Sequence, residues 1–348
     1  MVPHGPVPLF VELCAGTAAL SLAFHARGEP LKSRKGAFKQ VKPPVSRMGS
    51  KAGYAAAILD VLGLEQGQGT RDGTRYIWCE PDPGVRLLLE AYRDAGLSRA
   101  AADIIRGWAG EDPRALWERL RAEGPPRGAE AGEVARWIFG TTASYSTTTP
   151  FAGFLHPEEG GRYGAARLDV ARRTEGLPTL PAEVHPDARA VEPREVARWL
   201  TITAGATGGV GGFKGLHCLR PSVDGFIPSR SSLSATIEAA EPIPATILPD
   251  AREVDPGHCL PAGTIVYIDP PYVGTTKYAA DLPRAEVVAL ARKWSEAGAT
   301  VCISEQVAIP ELVADGWEAI DISARRVGQR RTFSKQQSEF LTIKRASQ

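Results

Sequence analysis

Thr264-Ile265-Val266-Tyr267-Ile268-Asp269-Pro270-Pro271-Tyr272 is the stretch from which the fold can be read. Ile265 to Ile268 form an unbroken apolar run, the pattern of a short strand buried on both faces of a parallel sheet. Two consecutive prolines have no backbone N–H to donate, so the hydrogen-bond ladder must end there. The Asp269 carboxylate therefore lands at a strand's carboxyl end, where open α/β sheets bind ligands. The plainer alternative is a strand-ending turn with no further role.

Working outward, Leu9-Phe10-Val11-Glu12-Leu13-Cys14-Ala15-Gly16-Thr17-Ala18-Ala19-Leu20 reads as a buried strand, a tight turn of small residues and a helix that continues to Phe24. Gly16 permits a positive φ or a close approach of backbone to a ligand, and Glu12 stands near the strand's end. Tyr76-Ile77-Trp78-Cys79 reads as a second strand ending at Glu80, followed by a helix patterned by Val85, Leu88, Leu89 and Tyr92. Ala245-Thr246-Ile247-Leu248-Pro249-Asp250 lies a short loop before the Asp269 strand. Glu80 can equally be a helix N-terminal acid, and Asp250 a loop-capping residue.

In this order the motifs resemble those of the Dam-like N6-adenine DNA methyltransferases, S-adenosylmethionine-dependent amino-methyltransferases with an Asp-Pro-Pro-Tyr motif. The resemblance covers the two ends of the chain, including a helix over 282–298, a strand over 300–304 and a late antiparallel strand pair in the tail around Phe340, Leu341 and Ile343. It implies that Asp269 and the Pro270 carbonyl accept hydrogen bonds from the two protons of an exocyclic amine, localising a lone pair otherwise delocalised into the base. Pro271 stiffens that segment, and Tyr272 offers a ring face to an extruded base. It further implies that Glu12, Cys14, Ala15 and Gly16 cradle the methionine end of S-adenosylmethionine, that Glu80 binds its ribose and that Asp250 meets its adenine.

The chain departs from that family in two ways. Where the family has a second glycine in the first turn, this chain has Ala18. The basic Gly-Lys segment that usually precedes the first strand is matched instead by Ser46-Arg47-Met48-Gly49-Ser50-Lys51, between the first and second strands. The expectation is a displaced cofactor-capping segment with Lys51 aimed at the methionine carboxylate, against the alternative of a surface helix with a solvated lysine.

A chain of 348 residues, 43% of them hydrophobic, can bury a large core. It has no apolar run long enough to span a bilayer and no secretion-signal pattern at its start, so the expectation is a soluble, cytoplasmic protein. Its five cysteines lack Cys-x-x-Cys spacing, and its six histidines lack metal-ligand spacing, so neither a disulfide framework nor a metal is expected. No Gly-x-x-x-x-Gly-Lys-Ser/Thr phosphate loop is present, which argues against nucleotide hydrolysis.

The net charge of +1 hides a partition. Residues 31–57 carry seven basic side chains (Lys32, Arg34, Lys35, Lys39, Lys42, Arg47, Lys51) and no acid, while 325–345 carry seven, Arg330 and Arg331 among them, against one acid. The rest of the chain holds 27 basic and 39 acidic residues, so positive charge is concentrated beside the candidate motifs. Contact with DNA phosphates is the functional reading, and two solvated loops the plainer one. Between about 100 and 240 the sheet pattern lapses. Hydroxyl-rich 141–149 and glycine-rich 208–215, with Lys214, Arg220 and Arg230, are candidates for DNA contact, or simply linkers.

The expected fold is thus α/β: a Rossmann-like S-adenosylmethionine-dependent methyltransferase sheet with an inserted target-recognition domain. The catalytic domain is assigned to 1–100 and 240–348, with 31–57 as a basic insertion, and the recognition region to 101–239. The expected activity is methylation of adenine N6 in DNA. N4-cytosine methylation, an RNA or protein amino-methyltransferase and a nonenzymatic nucleic-acid-binding module remain as alternatives. Asp269 favours adenine over cytosine, because the cytosine enzymes more often have Ser at that place.

Overall fold

The computed structural model describes residues 5–25, 50–108, 111, 113–124, 127–142, 151, 242–257, 260–272, 282–326 and 338–346. Among these residues seven strands are formed: β1 (Leu9–Leu13), β2 (Arg75–Cys79), β3 (Ala245–Leu248), β4 (Ile265–Ile268), β5 (Thr300–Glu305), β6 (Glu318–Asp321) and β7 (Phe340–Lys344). They make one sheet in the order β3-β2-β1-β4-β5-β7-β6. The first five in that order pair in parallel, and β7 runs antiparallel to both of its neighbours. The fold is therefore mixed α/β, Rossmann-like in its mostly parallel sheet. Chain order reverses at β1, which has β2 on one side and β4 on the other, and such a switch point opens a crevice at the strands' carboxyl ends.

Period-two alternation sorts the strand residues onto two faces. Phe10, Tyr76, Trp78 and Tyr267 share one core with helices α1 (Ala19–His25), α2 (Ala55–Leu62), α4 (Pro83–Arg93) and α5 (Ala95–Gly107); the short α3 (Gln68–Asp72) joins α2 to β2. Val11, Leu13, Val266, Ile268, Val301 and Ile303 form the opposite core. There, past α6 (Pro113–Ala122) and α7 (Ala131–Thr142) in sequence, lie α8 (Arg284–Glu296) and α9 (Pro310–Ala314). Helix α8 is held by the buried row Val287, Val288, Leu290, Ala291 and Trp294, and each full-size member of it stabilises the fold by about 1.5–3 kcal/mol. Local chemistry sets the helix starts. The Asp82 carboxylate accepts from Gly84 N at 2.8 Å and Val85 N at 3.2 Å, with Pro83 in the first turn of α4, and Asp94 does the same for α5.

The two ends of the chain meet as expected, because β2 pairs with β3 and β1 with β4. The division at residue 100, however, falls inside α5, and Ala101, Ala102 and Ile105 from α5 and Val134, Ala135, Trp137 and Ile138 from α7 belong to the same core as the sheet. The close fit of α7 on α4 needs Gly84, where a Cβ would stand 2.1 Å from Trp137 Nε1. Helix α5 and one side of α7 thus pack on the sheet's own core, while Leu116, Trp117 and Leu120 of α6 form a small separate cluster with Phe139. The strand β6 has mostly exposed residues, so its sequence offers no buried alternation to read. Among the described residues no helix is long and apolar enough to cross a membrane.

Candidate active site

The turn after β1 is built by its small residues. Gly16 has φ +53° and open space where a Cβ would stand, so a ligand can approach its backbone. Cys14 (φ 63°) and Ala18 (φ 47°) adopt the left-handed region without being glycine, a strain on the order of 1–2 kcal/mol each. Ala18 therefore holds the conformation for which a glycine is expected at this place. The turn is pinned by Ala15 N donating to the Cys79 carbonyl at 2.8 Å and Gly16 N donating to Glu80 Oε2 at 2.8 Å.

Glu80, at the end of β2, also accepts from Asp82 N at 3.0 Å, so its carboxylate ties the first turn to the start of α4. Glu12 on β1 is buried and accepts the Ser21 N–H at 2.6 Å. Burial pushes its carboxyl up to about 7, against the lowering effect of the Ser21 bonds. Asp250 accepts from Arg252 N at 2.9 Å and pairs with the Arg252 guanidinium at 3.1 Å, capping the 3-10 turn Ala251–Glu253. The Cys14 thiol is pushed well above its ordinary range by burial first and then by Glu80, Asp269, Cys79 and Asp250, which brings three of the candidate carboxylates to bear on one residue of this turn.

Asp269 follows β4 directly, and its backbone N–H donates to the Leu13 carbonyl at 3.2 Å, locking the end of β4 to the end of β1. Its Oδ1 accepts from Lys51 Nζ at 2.7 Å and from Ser304 Oγ at 3.1 Å. Ser304, on β5, shares a further hydrogen bond of 2.8 Å with the Tyr267 hydroxyl. Lys51 Nζ also lies 3.8 Å from Glu339 Oε1 and 4.6 Å from the centre of the Tyr272 ring. The Tyr272 hydroxyl donates to Glu339 Oε1 at 2.6 Å. Burial pushes the Asp269 and Glu339 carboxyls up, with Lys51 as the main counterweight for both. Burial also opposes the Lys51 ammonium, but Asp269, Tyr272 and Glu339 outweigh it, and Lys51 stays charged.

From sequence, Lys51 is expected to face a cofactor carboxylate; in the structure it pairs with Asp269. The displaced segment does reach the site, since Ser50 Oγ lies 3.1 Å from Thr17 Oγ1 of the first turn. Helix α2, which follows it, is held to the tail by an Arg325–Asp60 ion pair and by Arg345 donating to the Val61 carbonyl at 3.1 Å. Ser304, Tyr267 and Glu339 are site residues that motif spacing misses. Glu339 alone had a signal, as the single acid within the basic tail. Lys32, Arg34, Lys35, Lys39, Lys214, Arg220, Arg230, Arg330 and Arg331 lie outside the described residues. Among the described residues no group of three or more His, Cys, Asp or Glu side chains could hold a metal ion.

Comparison with known proteins adds no name to this geometry: no family model matches the chain, and no curated protein matches it.

Proposed function

We propose that the chain is an S-adenosylmethionine-dependent methyltransferase acting on the exocyclic N6 amine of adenine in DNA. The observation that carries this reading is the meeting, at the sheet's switch point, of Asp269 with the Cys14–Gly16 turn that Glu80 pins and Glu12 and Asp250 flank. The donor set fits the cofactor. Carboxylates suit its ammonium, sulfonium and ribose hydroxyls, and the open face of Gly16 suits close approach of its methionine end. When bound, S-adenosylmethionine supplies an electrophilic methyl group. Glu12 and residues 14–16 would hold its methionine portion, Glu80 its ribose and Asp250 its adenine.

The chain's own residues would then prepare the amine. Asp269 would accept a hydrogen bond from one of its N–H groups and the Pro270 carbonyl from the other, which would localise the nitrogen lone pair out of the ring. The β4 and β1 ends hold that acceptor in place, and positioning supplies most of the acceleration. Methyl transfer to that nitrogen would release a neutral thioether, and the amine would then give up its extra proton to solvent. DNA as the acceptor is supported by the two basic stretches, whose described ends flank α2 beside the site: Lys51 enters it, and Arg326 lies over the Tyr54 ring at 5.8 Å.

Glu80→Ala should raise the dissociation constant for S-adenosylmethionine about 10- to 100-fold, because it removes both a ribose acceptor and the anchor of Gly16 N. Isothermal calorimetry measures this, and wild-type affinity would remove Glu80 from the cofactor site. Incubation with methyl-labelled S-adenosylmethionine and DNA, RNA or protein in separate reactions tests the function itself. Label should enter DNA. Label entering only RNA or protein would overturn the acceptor, and none in any reaction would overturn the reading.

A further inference from the structure

On the methyltransferase reading, the two groups that the target base needs are both covered by one side chain. Lys51 Nζ sits 2.7 Å from the Asp269 carboxylate that must accept the amine, and 4.6 Å from the centre of the Tyr272 ring against which the base would stack. Its ammonium must give way as the base enters. A buried ammonium that leaves its carboxylate without another partner suffers a large desolvation penalty. One alternative partner is already built beside it. Glu339 Oε1 is 3.8 Å away, so a shift of about 1 Å brings Lys51 to ordinary ion-pair distance from it.

Glu339 is held for this task from several directions. It precedes β7 and is 5% exposed. Its backbone N–H donates to Ser323 Oγ at 2.8 Å, its carbonyl accepts from Ile322 N at 2.9 Å, and its carboxylate accepts the Tyr272 hydroxyl at 2.6 Å. We propose that Glu339 is a positioning residue, the second station to which the Lys51 ammonium moves when the target amine takes Asp269. The charge of Glu339, rather than its bond to Tyr272, then sets how readily Asp269 is released. This rests on the methyl-transfer reading given above.

Side-chain length and charge can be separated. Glu339→Gln keeps an acceptor for the Tyr272 hydroxyl but removes the charge, whereas Glu339→Asp keeps the charge and shortens the reach. With saturating S-adenosylmethionine and unmodified DNA, kcat of Glu339→Gln should fall about tenfold, and Glu339→Asp should be the faster of the two. Calorimetric affinity for S-adenosylmethionine should stay at the wild-type value in both. In a Lys51→Met background, Glu339→Gln should cause little further loss, because no ammonium remains to be moved. If Glu339 served only to anchor Tyr272, Glu339→Gln would be the faster variant, and that order overturns the proposal. So does a wild-type kcat in Glu339→Gln. Loss of cofactor affinity in these variants would instead show a damaged site and would overturn it as well. A wild-type protein that transfers no methyl group fails at the underlying reading, which is a separate result from an active protein indifferent to Glu339.

Discussion

Asp269→Ala is expected to lower turnover by about 10²–10³-fold while leaving S-adenosylmethionine affinity within about twofold, because on the proposed function the interaction lost would be with the reacting amine and not with the cofactor. Asp269 is suited to this effect by its place at the end of β4, tied to β1 through its own N–H at 3.2 Å from the Leu13 carbonyl. The same substitution has a structural cost. Lys51, 6% exposed, loses its partner at 2.7 Å, and breaking a buried pair from one side costs about 3–5 kcal/mol. Glu339 at 3.8 Å softens that loss. Thermal unfolding of Asp269→Ala beside Asp269→Ala/Lys51→Met separates the two effects: the double variant should recover stability but not turnover. Near-normal methylation by Asp269→Ala would remove it from the mechanism.

A second large effect is expected from pH acting on Glu12. In the folded ligand-free protein its carboxyl is pushed up to about 7 from an ordinary 4.5. Between those values the folded chain holds a proton that the unfolded chain has lost, so folded-state stability decreases as pH rises through this window. The contribution is fully present below about pH 4.5 and is gone above about pH 7, a change of about 3 kcal/mol. Glu12→Gln keeps an oxygen for the Ser21 N–H and has no proton to lose. Urea unfolding at pH 5 and pH 8 should show the wild type losing roughly 2–3 kcal/mol more than Glu12→Gln between the two conditions. Parallel losses would mean that Glu12 is not held protonated by its burial.

Much of this was legible from local pattern. Ile265 to Ile268 are buried and paired on both sides, as their unbroken apolar run requires, and the strands ending near Glu12, Glu80 and Asp250 continue the parallel sheet on one side of them. The late antiparallel pair is present too, but only β7 carries a readable apolar core; β6 is a mostly exposed edge strand. Within 101–142 the Gly/Pro breaks read from sequence as part of an inserted region; α6 does form a small cluster of its own, whereas α5 packs on the sheet. The apolar side of α7 settles it on the sheet's own core.

The site was legible where one motif contributes all of its residues, and not where the chain is brought together from afar. Lys51 and Glu339 stand 218 and 70 positions from Asp269 in sequence, and no spacing rule links them. Ser304 reads as the ordinary end of a strand, yet register places β5 beside β4 and the Ser304 hydroxyl on Asp269. The strained left-handed Ala18 is likewise invisible until its φ is known, since alanine gives no turn signal.

The central claim is that Asp269 prepares the N6 amine of adenine in DNA. The most direct measurement is to incubate the full-length protein with deuterated-methyl S-adenosylmethionine and unmodified DNA, digest the DNA to nucleosides and identify the labelled product by mass spectrometry, with Asp269→Ala alongside. Labelled N6-methyldeoxyadenosine from the wild type, and almost none from Asp269→Ala, is the predicted result; labelled N4-methyldeoxycytidine, or equal N6 methylation by both proteins, would contradict it.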